Sequence, residues 1–279
     1  MATYIRPTTV PEALAALAAS PRTILAGGTD HYPARVIHEP GEDILDLSAL
    51  AALRPITRHG ATWRIPALAT WTDIVRHPLP PLFGGLKQAS AQIGGPQIQN
   101  AGTLLGNVCN ASPAADGIPA LLALDAAVEL QSTRGARTLP LADFVLGPRR
   151  TAKAPNELAT ALLIPHTPAR SVFHKLGARR YLVISITMVA LTLEQDTAGR
   201  ITRAAVAVGA CGPVAARLPA LEAALLGQYP DPALVTEAHL APLTPIEDIR
   251  APAGYRRKAT LEIIRRLLGG VAQTEAQAA

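Results

Sequence analysis

Apolar residues recur along this chain in two rhythms, one with helical and one with strand spacing. Residues 11–19 carry an Ala/Leu run opened by Pro11 and Glu12, which predicts an amphipathic helix. Residues 23–25 read as a short strand running straight into a glycine-bearing loop, Ala26-Gly27-Gly28-Thr29-Asp30. Residues 43–47 alternate as a strand before a turn and short helix over 47–53, and 63–68 predict another strand. Thr70 precedes a short helical stretch around 73–76, stopped by Pro78 and Pro80. Helical spacing over 82–93 ends at Gly94-Gly95-Pro96. Residues 96–116 are rich in Gly, Asn, Ser and Pro, yet Ile98, Leu104, Leu105 and Val108 punctuate them. That pattern predicts an ordered loop folded against a core. A helix over 117–124 and a strand over 127–131 follow.

From about Ser171 the style changes. Residues 172–176, 183–193 and 204–208 read as three strands of one antiparallel sheet. Helices are expected over 217–226, 232–240, 246–250 and 254–268. Asp231-Pro232 has the form of an N-cap with proline at the first helical position. Thr244-Pro245-Ile246-Glu247 repeats that signal with capping-box spacing. Strands followed by helices give an α+β organisation.

Composition narrows the classes. A chain of 279 residues with 49% hydrophobic and 17% charged residues can fill two domains and leaves little room for long disordered tracts. The 4% aromatic share leaves few stacking platforms for nucleic acid. The net charge of +5 is scattered in pairs such as Arg149-Arg150, Arg179-Arg180 and Arg265-Arg266. Most read as solvated surface, with phosphate affinity or an acidic partner open for a few. Cys109 and Cys211 form no CxxC pair, so an iron–sulfur cluster or zinc site within the chain is not expected. Pro7 and Pro11 and a single early cation, Arg6, argue against an export signal. No stretch reaches the roughly 18 apolar residues of a membrane span, so a cytoplasmic protein is expected. HExxH, GxSxG and Walker A signatures are lacking.

Chemistry concentrates in two loops. Gly27 and Gly28 directly follow a strand, so successive amides can turn inward as an anion cradle and the backbone can approach a pyrophosphate. Thr29 can add a hydroxyl donor; Asp30 can accept from a ribose or ribityl hydroxyl, or simply fix the loop. This is not the GxGxxG of a Rossmann unit. The second loop, Asn100-Ala101-Gly102-Thr103-Leu104-Leu105-Gly106-Asn107, continues to Asn110 and Asp116. Each loop alone reads as a self-capping turn; two of them, roughly 75 residues apart, read as facing walls of a site for a large polar cofactor.

Together these loops resemble the AGGTDL-type and TxGGN…ASPxxD motifs of the FAD-binding medium subunits of the xanthine dehydrogenase and carbon monoxide dehydrogenase (molybdenum hydroxylase) family. Phe173-His174-Lys175-Leu176-Gly177-Ala178-Arg179 and Asp248-Ile249-Arg250…Tyr255-Arg256-Arg257 fit as well. The resemblance implies a two-subdomain FAD-binding domain of the vanillyl-alcohol-oxidase/PCMH type over 1–168, with subdomains 1–53 and 54–168. A C-terminal domain with a three-stranded antiparallel sheet and helices would occupy 169–279. It places the FAD pyrophosphate against Ile24, Leu25, Ala26, Gly27, Gly28, Thr29, Asp30 and His31, with Thr103, Gly106 and Asn107 opposite. Asp116 would bind ribityl or nearby polar groups; Ile93 and Ala159 would pack beside the flavin. Lys175 would approach the ring as a cation favouring its reduced form, and Tyr181 would sit in a loop covering it. Four positions depart from the family pattern: Leu105 replaces a glycine, Gln99 an arginine, His31 a leucine, and Ala159 a larger residue. These departures imply a shifted loop, an altered flavin environment and weaker FAD binding. A bulky substitution at Gly28 is expected to cost the most flavin.

By the same resemblance, the chain would take electrons from partner [2Fe-2S] clusters and pass them to an external acceptor. An iron–sulfur small subunit and a molybdopterin large subunit would complete a heterotrimer, with substrate hydroxylation on the large subunit. No catalytic side chain or metal ligand is expected here, nor nucleic-acid binding. The alternatives are a stand-alone flavin oxidase, disfavoured by the few polar residues for a substrate cap, and a flavin-free scaffold subunit.

Overall fold

The computed structural model describes residues 2–35, 41–180 and 182–276. The chain opens with a parallel sheet of three short strands, β1 (Tyr4–Ile5), β2 (Thr23–Leu25) and β3 (Ile44–Asp46), in the order β1-β3-β2. Helix α1 (Val10–Ala19) is the crossover from β1 to β2. It starts where Thr9 and Glu12 form a reciprocal capping box, and it buries Ala13, Leu14 and Leu17. Because β2 ends at Leu25, the glycine loop leaves from the carboxyl end of a parallel strand.

The second sheet is antiparallel, in the order β4-β5-β10-β6-β7. Its strands are β4 (Thr57–His59), β5 (Thr62–Pro66), β6 (Ala127–Ser132), β7 (Gly135–Pro140) and the central β10 (Leu158–Pro165). A small hairpin, β8 (Val145–Gly147) and β9 (Arg150–Thr151), precedes β10. Between β5 and β6 lie α2 (Trp71–Arg76), α3 (Gly84–Ala91), α4 (Pro96–Ala101), α5 (Leu104–Asn110) and α6 (Gly117–Ala123). The short α7 (Leu141–Phe144) links β7 to the hairpin. Thr70 and Asp73 form the capping box that starts α2.

The C-terminal sheet is antiparallel, β11 (Arg170–Leu176), β12 (Thr187–Gln195), β13 (Ile201–Gly209) and β14 (Ala216–Arg217), in chain order. Both of its faces are buried. Met188, Ala190, Ala205 and Ala207 join the main core, shared with Leu121 of α6. Val189, Leu191, Val206 and Val208 meet a second core with α8 (Pro219–Leu225) and α9 (Ala253–Ala276). The period-2 alternation of a strand thus separates two cores.

Several sequence expectations are corrected. The C-terminal sheet has four strands rather than three, the fourth being the two-residue β14. Residues 96–116 hold two short helices, α4 and α5, instead of continuous loop. Residues 232–240 form two 3-10 turns, Pro232–Leu234 and Glu237–Leu240, although Asp231 does cap the first by accepting from Ala233 N–H at 2.8 Å. Residues 246–250 are not helical: the Asp248 carboxylate accepts the Arg250 N–H at 2.9 Å, closing a local turn that competes with helix. Strand β12 starts at Thr187, later than expected.

Candidate functional site

The two glycine loops touch. A Cβ on Gly27 would lie 2.0 Å from the Ala101 carbonyl oxygen, and one on Gly102 would lie 3.2 Å from Thr29 Oγ1. Only glycine permits this approach. Gly28 adopts φ +68°, the left-handed region. The second loop is stitched to the start of α2: Trp71 N–H donates to Gly102 O at 3.2 Å, and Leu104 N–H to Ala69 O at 3.0 Å. Thr103 then caps α5 by accepting from Gly106 N–H at 3.1 Å.

Between the loops lies a cleft of about 650 Å³, within the roughly 300–1,000 Å³ of small-molecule and cofactor sites. All the residues singled out from the sequence line it except Asp116, Lys175 and Tyr181. Ile24 to His31 form one side, Thr103, Gly106 and Asn107 another, and Ile93 and Ala159 add apolar surface. Tyr181 lies outside the described residues. Asp116 and Lys175 are brought to each other instead, with Lys175 Nζ 2.5 Å from Asp116 Oδ2 and both side chains more than nine-tenths buried. Ser185 Oγ donates to the other carboxylate oxygen at 2.5 Å. Burial holds the Asp116 carboxyl above its ordinary range, against the pull of Lys175 and Ser185.

Two features mark the cleft as built for a polar, anionic guest. The amides of Gly27 to Asp30 donate to no protein acceptor among the described residues. Asn107, on the opposite wall, has its Oδ1 buried without a hydrogen-bond partner among the described residues. The Asp30 carboxylate does not fix its own loop; it pairs with Arg149 at 2.6 Å. His31 sits 3.6 Å from Glu42 Oε1 and packs edge-on against Tyr32.

Sequence reasoning missed several lining residues, among them Trp71, Leu158, Arg149 and Lys153. Arg149 was visible only as half of a basic pair, and Lys153 carried no signal. Burial lowers the Lys153 pKa, and its Nζ is held by the carbonyls of Ala154 at 3.2 Å and Glu157 at 3.3 Å. Burial pushes the nearby Cys109 thiol up to about 11, which Lys153 tempers. Leu105 is buried in the main core while also lining the cleft. Gln99 ties α4 to the end of α3, donating to Ile93 O at 3.0 Å and Ala91 O at 3.2 Å. Among the described residues no cluster of three or more His, Cys, Asp or Glu could hold a metal. No helix among them is long and apolar enough to cross a membrane.

This site and fold have known counterparts. Residues 1–167 match the family described as FAD binding domain in molybdopterin dehydrogenase, and residues 172–271 the CO dehydrogenase flavoprotein C-terminal domain. The chain belongs to this family: it is an FAD-binding, oxidoreductase medium subunit of the molybdenum hydroxylase type. It is 37% identical over 203 residues to the nicotinate dehydrogenase FAD-subunit of Eubacterium barkeri, covering 69% of this chain and 67% of that one. The nicotine 6-hydroxylase medium subunit of Paenarthrobacter nicotinovorans is 30% identical, with 88% of each chain covered. Reconstituted CO dehydrogenase from Oligotropha carboxidovorans superposes with a TM-score of 0.87 at 28% identity, covering 95% of this chain and 96% of that one.

Proposed function

We propose that this chain is the electron-transfer subunit of a cytoplasmic molybdenum hydroxylase complex. It would accept electrons from [2Fe-2S] clusters on a small partner subunit and deliver them to an external acceptor. A large molybdopterin subunit would carry out the hydroxylation. The observation that carries this reading is the cleft itself, where two glycine loops interlock and the first presents the amides of Gly27 to Asp30 without protein acceptors among the described residues. FAD, when bound, supplies the redox chemistry; the chain's own residues bind and orient it. The amides of Gly27 to Asp30 would hold the diphosphate, with Thr103, Gly106 and Asn107 facing it. Ile93 and Ala159 would flank the ring. Asp116 and Lys175, already an ion pair, would act from behind the cleft, and Tyr181 would cover the ring. Residues 1–168, divided near residue 53, would be the FAD-binding unit and 169–279 the C-terminal unit, a division in keeping with the two family matches.

Purification with neighbouring subunits, followed by cofactor release and chromatography, tests the reading. FAD in the isolated chain, with molybdopterin and iron–sulfur subunits co-purifying, is the expected result. Substrate oxidation by the isolated chain would instead identify a stand-alone oxidase, and a colourless assembled complex would identify a scaffold.

A further inference from the structure

Four cationic side chains line the cleft besides His31, and three of them are committed elsewhere. Arg22 donates to Thr3 Oγ1 at 2.7 Å and Ala16 O at 3.3 Å. Arg35 is held by Glu42 at 2.6 Å and His31 O at 2.7 Å. Lys153 is turned onto its own loop's carbonyls. Arg149 differs from these. It lies at the tip of the β8–β9 hairpin in the left-handed region, φ +58°, a conformation that a non-glycine residue keeps only when its surroundings impose it. Its N–H donates at 2.9 Å to the carbonyl of Ala111, itself left-handed at the end of α5. Its Nη1 reaches Asp30 Oδ2 at 2.6 Å and also Asn110 Oδ1. The guanidinium therefore bridges the first glycine loop to the end of the helix that begins in the second. Nε and Nη2 make no hydrogen bond among the described residues.

We propose that Arg149 is a diphosphate-binding residue of the cleft, joining the two loops through Nη1 and presenting its remaining N–H fork to the phosphates. The inference rests on the FAD reading above and adds a residue to it. Two effects combine. A guanidinium fork matches phosphate oxygens in a bidentate way that an ammonium cannot. Pairing Asp30 also neutralises a carboxylate on the very loop whose amides would receive the anion, removing a repulsion that would otherwise oppose binding.

Binding of three probes to the apo chain separates this role from a structural one. ADP carries the diphosphate without a flavin, riboflavin carries the ring without a phosphate, and FAD carries both. Arg149→Gln is expected to weaken ADP and FAD by about tenfold or more, the loss of one charge-assisted contact, while leaving riboflavin unchanged. Adding Asp30→Asn to that variant should recover part of the loss, because the unpaired carboxylate is gone. Arg149→Lys should fall between wild type and Arg149→Gln, and it decides the matter if Arg149→Gln does not fold. Equal losses for ADP and riboflavin, or ADP binding by Arg149→Lys as tight as wild type, would overturn the proposal. Wild-type chain that binds FAD while Arg149→Gln matches it sinks this inference alone. Wild-type chain that binds neither FAD nor ADP sinks the FAD reading and this inference together.

Discussion

Gly27→Ala tests the interlocked loops most directly. The added Cβ would sit 2.0 Å from Ala101 O, 2.7 Å from Ala101 C and 2.9 Å from Gly102 Cα, all backbone atoms. Ordinary contact begins at 3.4 Å, so the loops must part by 3.4 − 2.0 = 1.4 Å. Parting them strains bonds on either side: Leu47 N–H to Leu25 O at 2.9 Å below the first loop, or Gly102 N–H to Ile98 O at 2.7 Å below the second. A bond stretched by that amount is lost, about 1 kcal/mol, and overpacking adds about 1–3 kcal/mol. The total, about 2–4 kcal/mol, corresponds to a fall in Tm of roughly 3–7 °C for a chain this size. The same displacement carries the Gly27–Asp30 amides out of hydrogen-bonding range of an anion. Losing two charge-assisted contacts, about 1.5–3 kcal/mol each, predicts at least a hundredfold weaker FAD binding. Gly28→Ala should be milder. It pays about 1–2 kcal/mol for φ +68°, but its nearest neighbour at 3.1 Å is the exposed Tyr32 ring, which can swing aside. For an added methyl group the more sensitive position is thus Gly27, whereas the expectation from sequence concerned a bulky residue at Gly28. Titration of apo chain with FAD, with thermal melts alongside, reads both effects. Gly27→Ala with wild-type FAD affinity, or Gly28→Ala as the more damaging change, would refute the argument.

Two further outcomes are expected. Arg250 foremost, with Arg256, holds the Asp248 carboxyl well below the ordinary range. Its contribution is therefore complete above the unfolded carboxylate pKa, about 4, and is lost as pH falls toward the depressed value. Asp248→Asn should flatten the acid limb of stability against pH in denaturant melts; an unchanged limb would refute this. Cys109, with its pKa raised from 9.0 to about 11, should be about a hundredfold poorer in thiolate at pH 8, and net alkylation about tenfold slower once its greater nucleophilicity is counted. Iodoacetamide labelling of apo chain at the rate of a free thiol would contradict the burial.

Local signals were readable in the sequence; signals made by distant pairing were not. Helix α1 and helix α2 were legible from Pro11-Glu12 and Thr70, and the capping boxes that start them, Thr9-Glu12 and Thr70-Asp73, are complete within four residues. The glycine loops were legible for the same reason. Strand β10 was not: Leu158–Pro165 lies between β5 and β6, mostly buried on both faces, so it shows no alternation. Its partners, Ile65 and Val128 opposite Leu162, are far away in sequence. Strand β7 was hidden in the opposite way, as an exposed edge strand with almost no buried residue. Within the site, Arg149 and Lys153 arrive on the segment between β8 and β10, and no motif links them to residues 26–30. The pairing of Asp116 with Lys175 was equally invisible, since each residue's environment is supplied by the other unit of the chain.

That pairing bears on how the cofactor loop keeps its shape. Helix α6 follows the second loop, and every residue from Gly117 to Ala123 is buried. Asp116, just before it, is held by Lys175 and Ser185. Asp125, just after it, is held by Arg203 and Arg217, and Arg217 also donates to Leu122 O at 2.9 Å. All four partners belong to the segment after residue 168, so α6 is gripped at both ends by the C-terminal unit while Met188, Ala190, Ala205 and Ala207 share its core. A fragment of residues 1–168 would expose Ile118, Leu121 and Leu122 and strip Asp116 and Asp125 of the partners that hold the two ends of α6. The fragment is therefore expected to aggregate, or to bind FAD far more weakly than the full chain, and co-expression with residues 169–279 should restore it. Sedimentation and FAD titration decide the point. A monomeric 1–168 fragment with full-chain affinity would mean that the cofactor loop holds its geometry without the C-terminal sheet.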